Sequence, residues 1–314
     1  MKRILRRLLK AFLIVFILLN IILVFHAYKF THFYDEGEIT LKKPEEISGW
    51  DKAGTMLFGI NAVKSKNMVV PGVNYEVIKL ETNDELQLEG WYMPVDSAKG
   101  TVIMFHGHGG SKSKILDEAY YIRSLGFNIL LMDFRAHGGS GGNTCTIGVK
   151  EASDVKLAYE FIQSKGAKNI VLWGVSLGAA TVIHSMNEYK LQPSKVILDM
   201  PFGTLVEAVE GRMRMMGLPP EPLSRMLTFW GGAENGFWAF NMKPCDDAKS
   251  INCPALLEWG AKDPRVTRAE TDCIYKNISS VQKKLVIYES AGHESFCKKE
   301  NEKWKAAMKD FLLN

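Results

Sequence analysis

Gly174-Val175-Ser176-Leu177-Gly178 follows an apolar run, Asn169-Ile170-Val171-Leu172-Trp173, and precedes a helix-like one, Ala179-Ala180-Thr181-Val182-Ile183. Between a strand and a helix, a G-x-S-x-G pattern predicts a nucleophile elbow. Residues two before and two after the serine come too close for a side chain, which accounts for both glycines. The turn lifts one hydroxyl clear of the sheet and sets it at a helix N-terminus, where backbone N–H groups and the helix dipole favour developing negative charge.

Outward from this turn, the chain alternates between strand and helix. Thr101–Phe105, Asn128–Met132, Ile170–Trp173, Lys195–Leu198, Ala255–Trp259 and Lys284–Tyr288 read as strands, and several are continuous apolar runs, as strands covered on both faces are. Helices are expected over Leu116–Leu125, Gly148–Ser164, the stretch after Ser176, Arg268–Lys276 and Cys297–Leu312. Upstream, Tyr75–Glu81 and Leu86–Tyr92 partly alternate around Asn83-Asp84 and predict an antiparallel hairpin. Such alternation specifies an α/β fold with a mostly parallel central sheet and helices on both faces, whose ligands bind beyond the carboxyl ends of the strands. Residues 203–244 interrupt the rhythm and are rich in Met, Gly, Pro and aromatics.

A serine hydroxyl needs a base within hydrogen-bond reach, and the base needs a group to orient it. His293 follows the last strand in Ser290-Ala291-Gly292-His293 and is the leading base. His184 lies on the helix after Ser176 and is expected to point away, and His26 and His32 belong to the N-terminal segment. The acid is expected at a strand end between Ser176 and His293. Asp263, in Gly260-Ala261-Lys262-Asp263-Pro264, is the first choice and Asp199 the alternative, whereas Asp133 suits bracing of its own loop. For an oxyanion, the expected donors are the Leu177 N–H and the His108 N–H in His106-Gly107-His108-Gly109-Gly110. The His106 and His108 side chains, two residues apart with no third ligand in sight, predict no metal site.

The N-terminus reads as a membrane anchor. Leu8–Tyr28 is almost wholly apolar, interrupted by Lys10, Asn20 and His26, and is long enough to span a bilayer as a helix. Bulky residues, Phe25 to Phe30, occupy the place where a cleaved signal would carry small ones. Lys2, Arg3, Arg6, Arg7 and Lys10 precede the span, and Asp35, Glu36 and Glu38 follow it. This bias predicts a single-pass protein with its N-terminus in the cytoplasm and its body outside. Those five cations exceed the net charge of +4, so the remainder sums to −1 and has no basic surplus for nucleic acid. The five cysteines show no C-x-x-C spacing and are expected to be mainly buried thiols with at most an incidental bridge.

His106-Gly107, Asp133-x-Arg135-x-His137-Gly138-x-Ser140, Thr146-Ile147-Gly148, Gly174-x-Ser176-x-Gly178, Asp199-x-Pro201-Phe202, Gly260-x-x-Asp263 and Gly292-His293 together resemble the α/β-hydrolase superfamily over roughly residues 76–313. Within it they are similar to the membrane-anchored, small-lid serine hydrolases of the BEM46-like or ABHD13-like group. The resemblance implies an esterase, thioesterase or lipase-like acyl hydrolase with Ser176 as nucleophile, Asp263 as acid and His293 as base. It implies no cofactor, and a small-molecule or lipid-like acyl ester as substrate. A peptidase or acyltransferase on the same triad, and a catalytically silent binding domain, are the other readings. Trp259 stands where that group commonly has histidine, and Ala136 where it has glycine. The expected organisation is an anchor over residues 1–30, a stalk and cover over 31–74 whose Pro44-Glu45-Glu46 opens a short helix, and a hydrolase domain over 75–314. Residues 203–244 form its lid insertion, in which Met213, Met215, Met216, Met226, Phe229, Trp230, Phe237, Trp238 and Phe240 either line an acyl pocket or glue the insertion to the body.

Overall fold

The structure, a computed structural model, describes residues 2–35, 54 and 57–314; the helix expected at Pro44-Glu45-Glu46 lies outside the described residues. A long apolar helix, α1 (Lys2–Thr31), leads into a two-residue parallel pair, β1 (Phe33–Tyr34) with β2 (Ala62–Val63). The body follows: β3 (Glu76–Glu81), β4 (Gln87–Met93), β5 (Thr101–Phe105), α2 (Leu116–Ser124), β6 (Asn128–Met132), α3 (Glu151–Ser164), β7 (Ile170–Val175), α4 (Leu177–Tyr189) and β8 (Lys195–Asp199). The insertion contributes α5 (Leu205–Met215) and α6 (Leu223–Asn235), and the short α7 (Pro244–Asp247) leads back to the body. Then come β9 (Ala255–Gly260), α8 (Arg268–Asn277), β10 (Lys283–Tyr288), α9 (Phe296–Lys299) and α10 (Asn301–Leu313).

Eight strands form one sheet in the order β10-β9-β8-β7-β5-β6-β4-β3. The expected hairpin, β3 with β4, is antiparallel and joins the antiparallel edge of β6, while β5 to β10 run parallel to one another. Strand geometry explains why the central runs are apolar at every position. On β5, Ile103 and Phe105 pack toward α3 and α4, while Val102 and Met104 pack toward α2 and α10. Trp173 and Trp304 are fully buried in the second of these layers.

Two expected helices differ in outline. The helix expected from Gly148 begins at Glu151, because Gly148 takes a left-handed φ of 101° and the Glu151 carboxylate instead accepts from the Thr146 and Gly148 N–H groups. The last helix is broken into α9 and α10 at Glu300, whose φ of −127° is non-helical and whose carboxylate accepts from Ser290 N–H and Oγ.

Two described residues ahead of the body bond to it. Lys64 donates to the Ser140 and Gly142 carbonyls at 2.6 and 3.0 Å, and Asn67 donates to Asp133 at 2.7 Å. Helix α1 is long and apolar enough to cross a membrane. Only its C-terminal end is packed: Leu23, Ala27 and Thr31 are buried, and α6 lies along it. Trp230 of α6 donates its indole N–H to Asn20 Oδ1 at 2.9 Å. Cys245 and Cys273 form a disulfide, and Cys145, Cys253 and Cys297 are free.

Candidate active site

Ser176 sits between β7 and α4 with φ 52° and ψ −110°, a conformation that costs a non-glycine residue on the order of 1–3 kcal/mol. The surroundings hold it there. Its N–H donates to the Asp199 carbonyl at 2.7 Å and its carbonyl accepts from Ala180 at 3.0 Å. A Cβ on Gly174 would overlap the Gly178 backbone, and one on Gly178 would overlap the Phe105 carbonyl of the neighbouring strand. Both glycines are therefore required by close approach.

His293, in the loop after β10, places Nε2 2.9 Å from Ser176 Oγ and Nδ1 2.7 Å from Asp263 Oδ2. Asp263, past the end of β9, keeps its other oxygen on the Arg265 and Val266 N–H groups at 2.7 and 3.0 Å. The carboxylate is thus fixed by its own turn and aimed at the imidazole. The three sequence-predicted residues meet in one hydrogen-bonded line.

Asp199, the alternative acid, lies in the same cavity wall but takes no part in that line. In the parallel register of β8 and β9 it stands opposite Glu258, and Glu258 in turn accepts from the Tyr288 hydroxyl. Burial and the adjacent Glu258 push the Asp199 carboxyl well above the usual carboxylate range, and burial pushes Glu258 up to about 7. A carboxyl held toward its neutral form is a poor partner for an imidazolium. His184 points away, as expected, onto Asp247 at 2.7 Å.

The loop after β5 faces Ser176, with Gly107 beside the serine Cβ. Its shape is set by two histidines. His106 donates from Nδ1 to the Gly107 carbonyl and accepts at Nε2 from Phe134 N–H, and burial together with the neighbouring His137 pulls it down to about 3. His137 accepts at Nε2 from Gly109 N–H and donates from Nδ1 to Arg135 O. The sequence motif around Asp133 thereby acquires a physical reason. Asp133 accepts from Lys112, Asn67 and Gly139, and Arg135 grips Asp154 with two nitrogens. The N–H of Gly110 goes to Gly107 O, while that of His108 meets no acceptor among the described residues. Leu177 N–H, first in α4, has no intrahelical acceptor. His108 thus borders the same cavity as Ser176, and Leu177 directly follows the serine in the chain. The His108 ring is stacked on Phe30, at 5.2 Å and 13°.

The cavity over Ser176 has a volume of about 250 Å³. From the insertion it receives Ala208 and Arg212, and none of the nine methionines and aromatics expected as pocket lining. Met213, Met216 and Phe237 instead line a second, apolar cavity of about 120 Å³ between the insertion and His26, Ala27 and Phe30 of α1. Met215, Phe229 and Trp238 are exposed. Sequence reasoning missed Arg212, Arg265 and the Glu258–Tyr288 pair. The insertion lacked the periodicity that would have given Arg212 a direction. The register opposing Asp199 to Glu258 was the one signal that a strand alignment could have supplied.

A mostly parallel eight-stranded sheet, with a serine on a strained turn after β7 and a histidine after the last strand, defines the α/β-hydrolase class. Comparison with known proteins agrees. The family model described as serine aminopeptidase, S33, matches residues 96–227, and the dienelactone hydrolase family model matches residues 211–313. An esterase from Pyrococcus furiosus aligns with TM-score 0.65 and 25% identity, over 81% of this chain and 98% of its own. A Saccharomyces cerevisiae membrane protein is 27% identical over 77% of this chain and 81% of its own length. The Schizosaccharomyces pombe protein bem46 is 22% identical over 72% of this chain and 73% of its own length. The chain is an α/β-hydrolase-fold hydrolase similar to the BEM46-like group.

Proposed function

We propose that the chain is a membrane-anchored serine hydrolase that cleaves a carboxylic ester or thioester through an acyl-enzyme. The observation that carries this reading is the line Ser176 Oγ, His293 Nε2, His293 Nδ1, Asp263 Oδ2, with contacts of 2.9 and 2.7 Å. His293 takes the Ser176 proton as Oγ attacks the substrate carbonyl. The Leu177 and His108 N–H groups receive the oxyanion, and His293 returns the proton to the departing alcohol or thiol. Asp263 holds the ring and stabilises its cationic form. Water, activated by the same histidine, then releases the acid.

Anchoring rests on the length and apolarity of α1, and an orientation with the body outside rests on the basic residues that precede it. The Cys245–Cys273 disulfide supports an oxidising compartment for the body. Residues 203–244 act as the lid over the cavity. The match to a serine aminopeptidase model favours peptide bonds as a second substrate class for the same machinery.

A fluorophosphonate probe tests the reading. The wild-type protein is expected to be labelled and Ser176→Ala to be silent; equal labelling of both would place the nucleophile elsewhere. A panel of esters, thioesters and aminoacyl amides then ranks the substrate classes.

A further inference from the structure

The cavity that exposes Ser176 also carries two guanidinium groups, Arg212 from α5 and Arg265 from the turn that holds Asp263. Half-buried Arg212 lines both this cavity and the apolar one beside it. Its guanidinium lies 4.4 Å from the centre of the Phe30 ring, and Phe30 stacks on His108. The aromatic face satisfies one side of the guanidinium and leaves its edge donors free. Among the described residues no carboxylate pairs with it and no acceptor takes its N–H groups. Arg265 donates Nε to Met215 Sδ and likewise has no carboxylate partner among them.

An arginine withdrawn from water without a counter-ion is costly, and a second one beside it raises the cost. Burial, then the charge of Arg265, pulls Arg212 down to about 10, still leaving it cationic at neutral pH. The acids of the same cavity do not offset it. Burial raises Glu118 and Asp199, so both are biased toward the neutral form, and Glu118 is taken by the Ser295 hydroxyl. Glu294 accepts from Gly292 N–H and faces Lys299. A cavity with unpaired guanidinium edges, none of them met by its own carboxyls, lacks one component, an anion, and a planar fork of donors suits a carboxylate or a phosphate.

We propose that Arg212, with Arg265 beside it, is the specificity-determining anion subsite of this hydrolase: the preferred ester carries a carboxylate or phosphate close to its scissile carbonyl. The proposal rests on the hydrolytic reading of Ser176 and names the substrate class for that site.

The test uses the full-length protein in detergent and two matched pairs. 4-Nitrophenyl hydrogen succinate against 4-nitrophenyl butyrate reads a carboxylate; lauroyl lysophosphatidate against monolauroylglycerol reads a phosphate. In at least one pair, kcat/KM is expected to favour the anionic member by about tenfold or more, mainly through KM. Arg212→Met is expected to bring that ratio to about one, and Arg212→Lys, a point charge without the fork, to leave it between the two. A wild-type ratio near one in both pairs overturns the proposal, as does an Arg212→Met variant that lowers both members of a pair equally. A binding arm separates this outcome from failure of the hydrolytic reading. Calorimetry on full-length Ser176→Ala with phenyl phosphate and with monomethyl succinate is expected to show binding of at least one, weakened about tenfold or more when Arg212→Met is added. No binding of either, or binding indifferent to Arg212, rejects the anion subsite. Absence of probe labelling at Ser176 rejects the hydrolase instead.

Discussion

His293 Nε2 lies 2.9 Å from Ser176 Oγ, although 117 residues separate them in the chain. Their meeting is a product of sheet order. Strands β7 and β10 end on the same edge with β8 and β9 between them, and each is followed by the turn that carries one of the two side chains. Everything that fixes those turns therefore bears on activity.

Asp263→Asn is expected to reduce kcat for a short 4-nitrophenyl ester by roughly 10³–10⁴-fold, because an amide fixes the wrong tautomer of His293. Asp199→Asn removes a carboxyl already biased toward neutrality and is expected to change kcat by less than about tenfold. Steady-state kinetics of the two variants side by side check the assignment; the reverse ranking would transfer the role to Asp199.

Gly178→Ala places a methyl against the Phe105 carbonyl in the middle of the sheet. Rigid backbone on both sides cannot yield cheaply, so a loss of roughly 3 kcal/mol or more is expected. Gly109→Ala meets open space, though its φ of 65° strains any side chain, and is expected to cost about 1 kcal/mol. Thermal unfolding of both variants in detergent ranks the two effects.

Glu258 gives stability a pH dependence of definite sign. Its folded value of about 7 lies above the ordinary glutamate value of 4.5. At low pH both folded and unfolded chains hold the proton. As pH rises toward 7 the unfolded chain releases it first, so the folded state loses up to about 1.4 kcal/mol per pH unit from this group, and nothing more once the folded carboxyl has ionised. Glu258→Gln is expected to flatten the decline of melting temperature between pH 5 and pH 7; an unchanged slope would show that another group carries it.

A reporter fused after residue 314 is expected to be active only on the non-cytoplasmic side, following the five basic residues ahead of the span. Cytoplasmic activity would invert the orientation.

Much of the catalytic edge was legible in the sequence, for reasons of strand and turn geometry. A strand covered on both faces must be apolar at every position, so β5 to β8 announced themselves, and an elbow admits glycine alone on either side of its serine. Asp263 was preferred to Asp199 from its place past a strand end, but what sets Asp199 aside, its register opposite Glu258 on the neighbouring strand, was not legible. The break in the last helix depends on Glu300 reaching back ten residues to Ser290, a tertiary preference that overrides local helix propensity. The insertion was opaque for a further reason. Its apolar face is turned toward α1, an element some two hundred residues earlier, so no local period revealed which side faced the serine.

The hydrogen bond from Trp230 to Asn20 has a mechanical meaning. It fastens the insertion to a rod that is apolar along most of its length, while Phe30, at the foot of that rod, stacks on His108 in the loop that faces Ser176. A displacement of the rod is therefore expected to reach the insertion and the loop together.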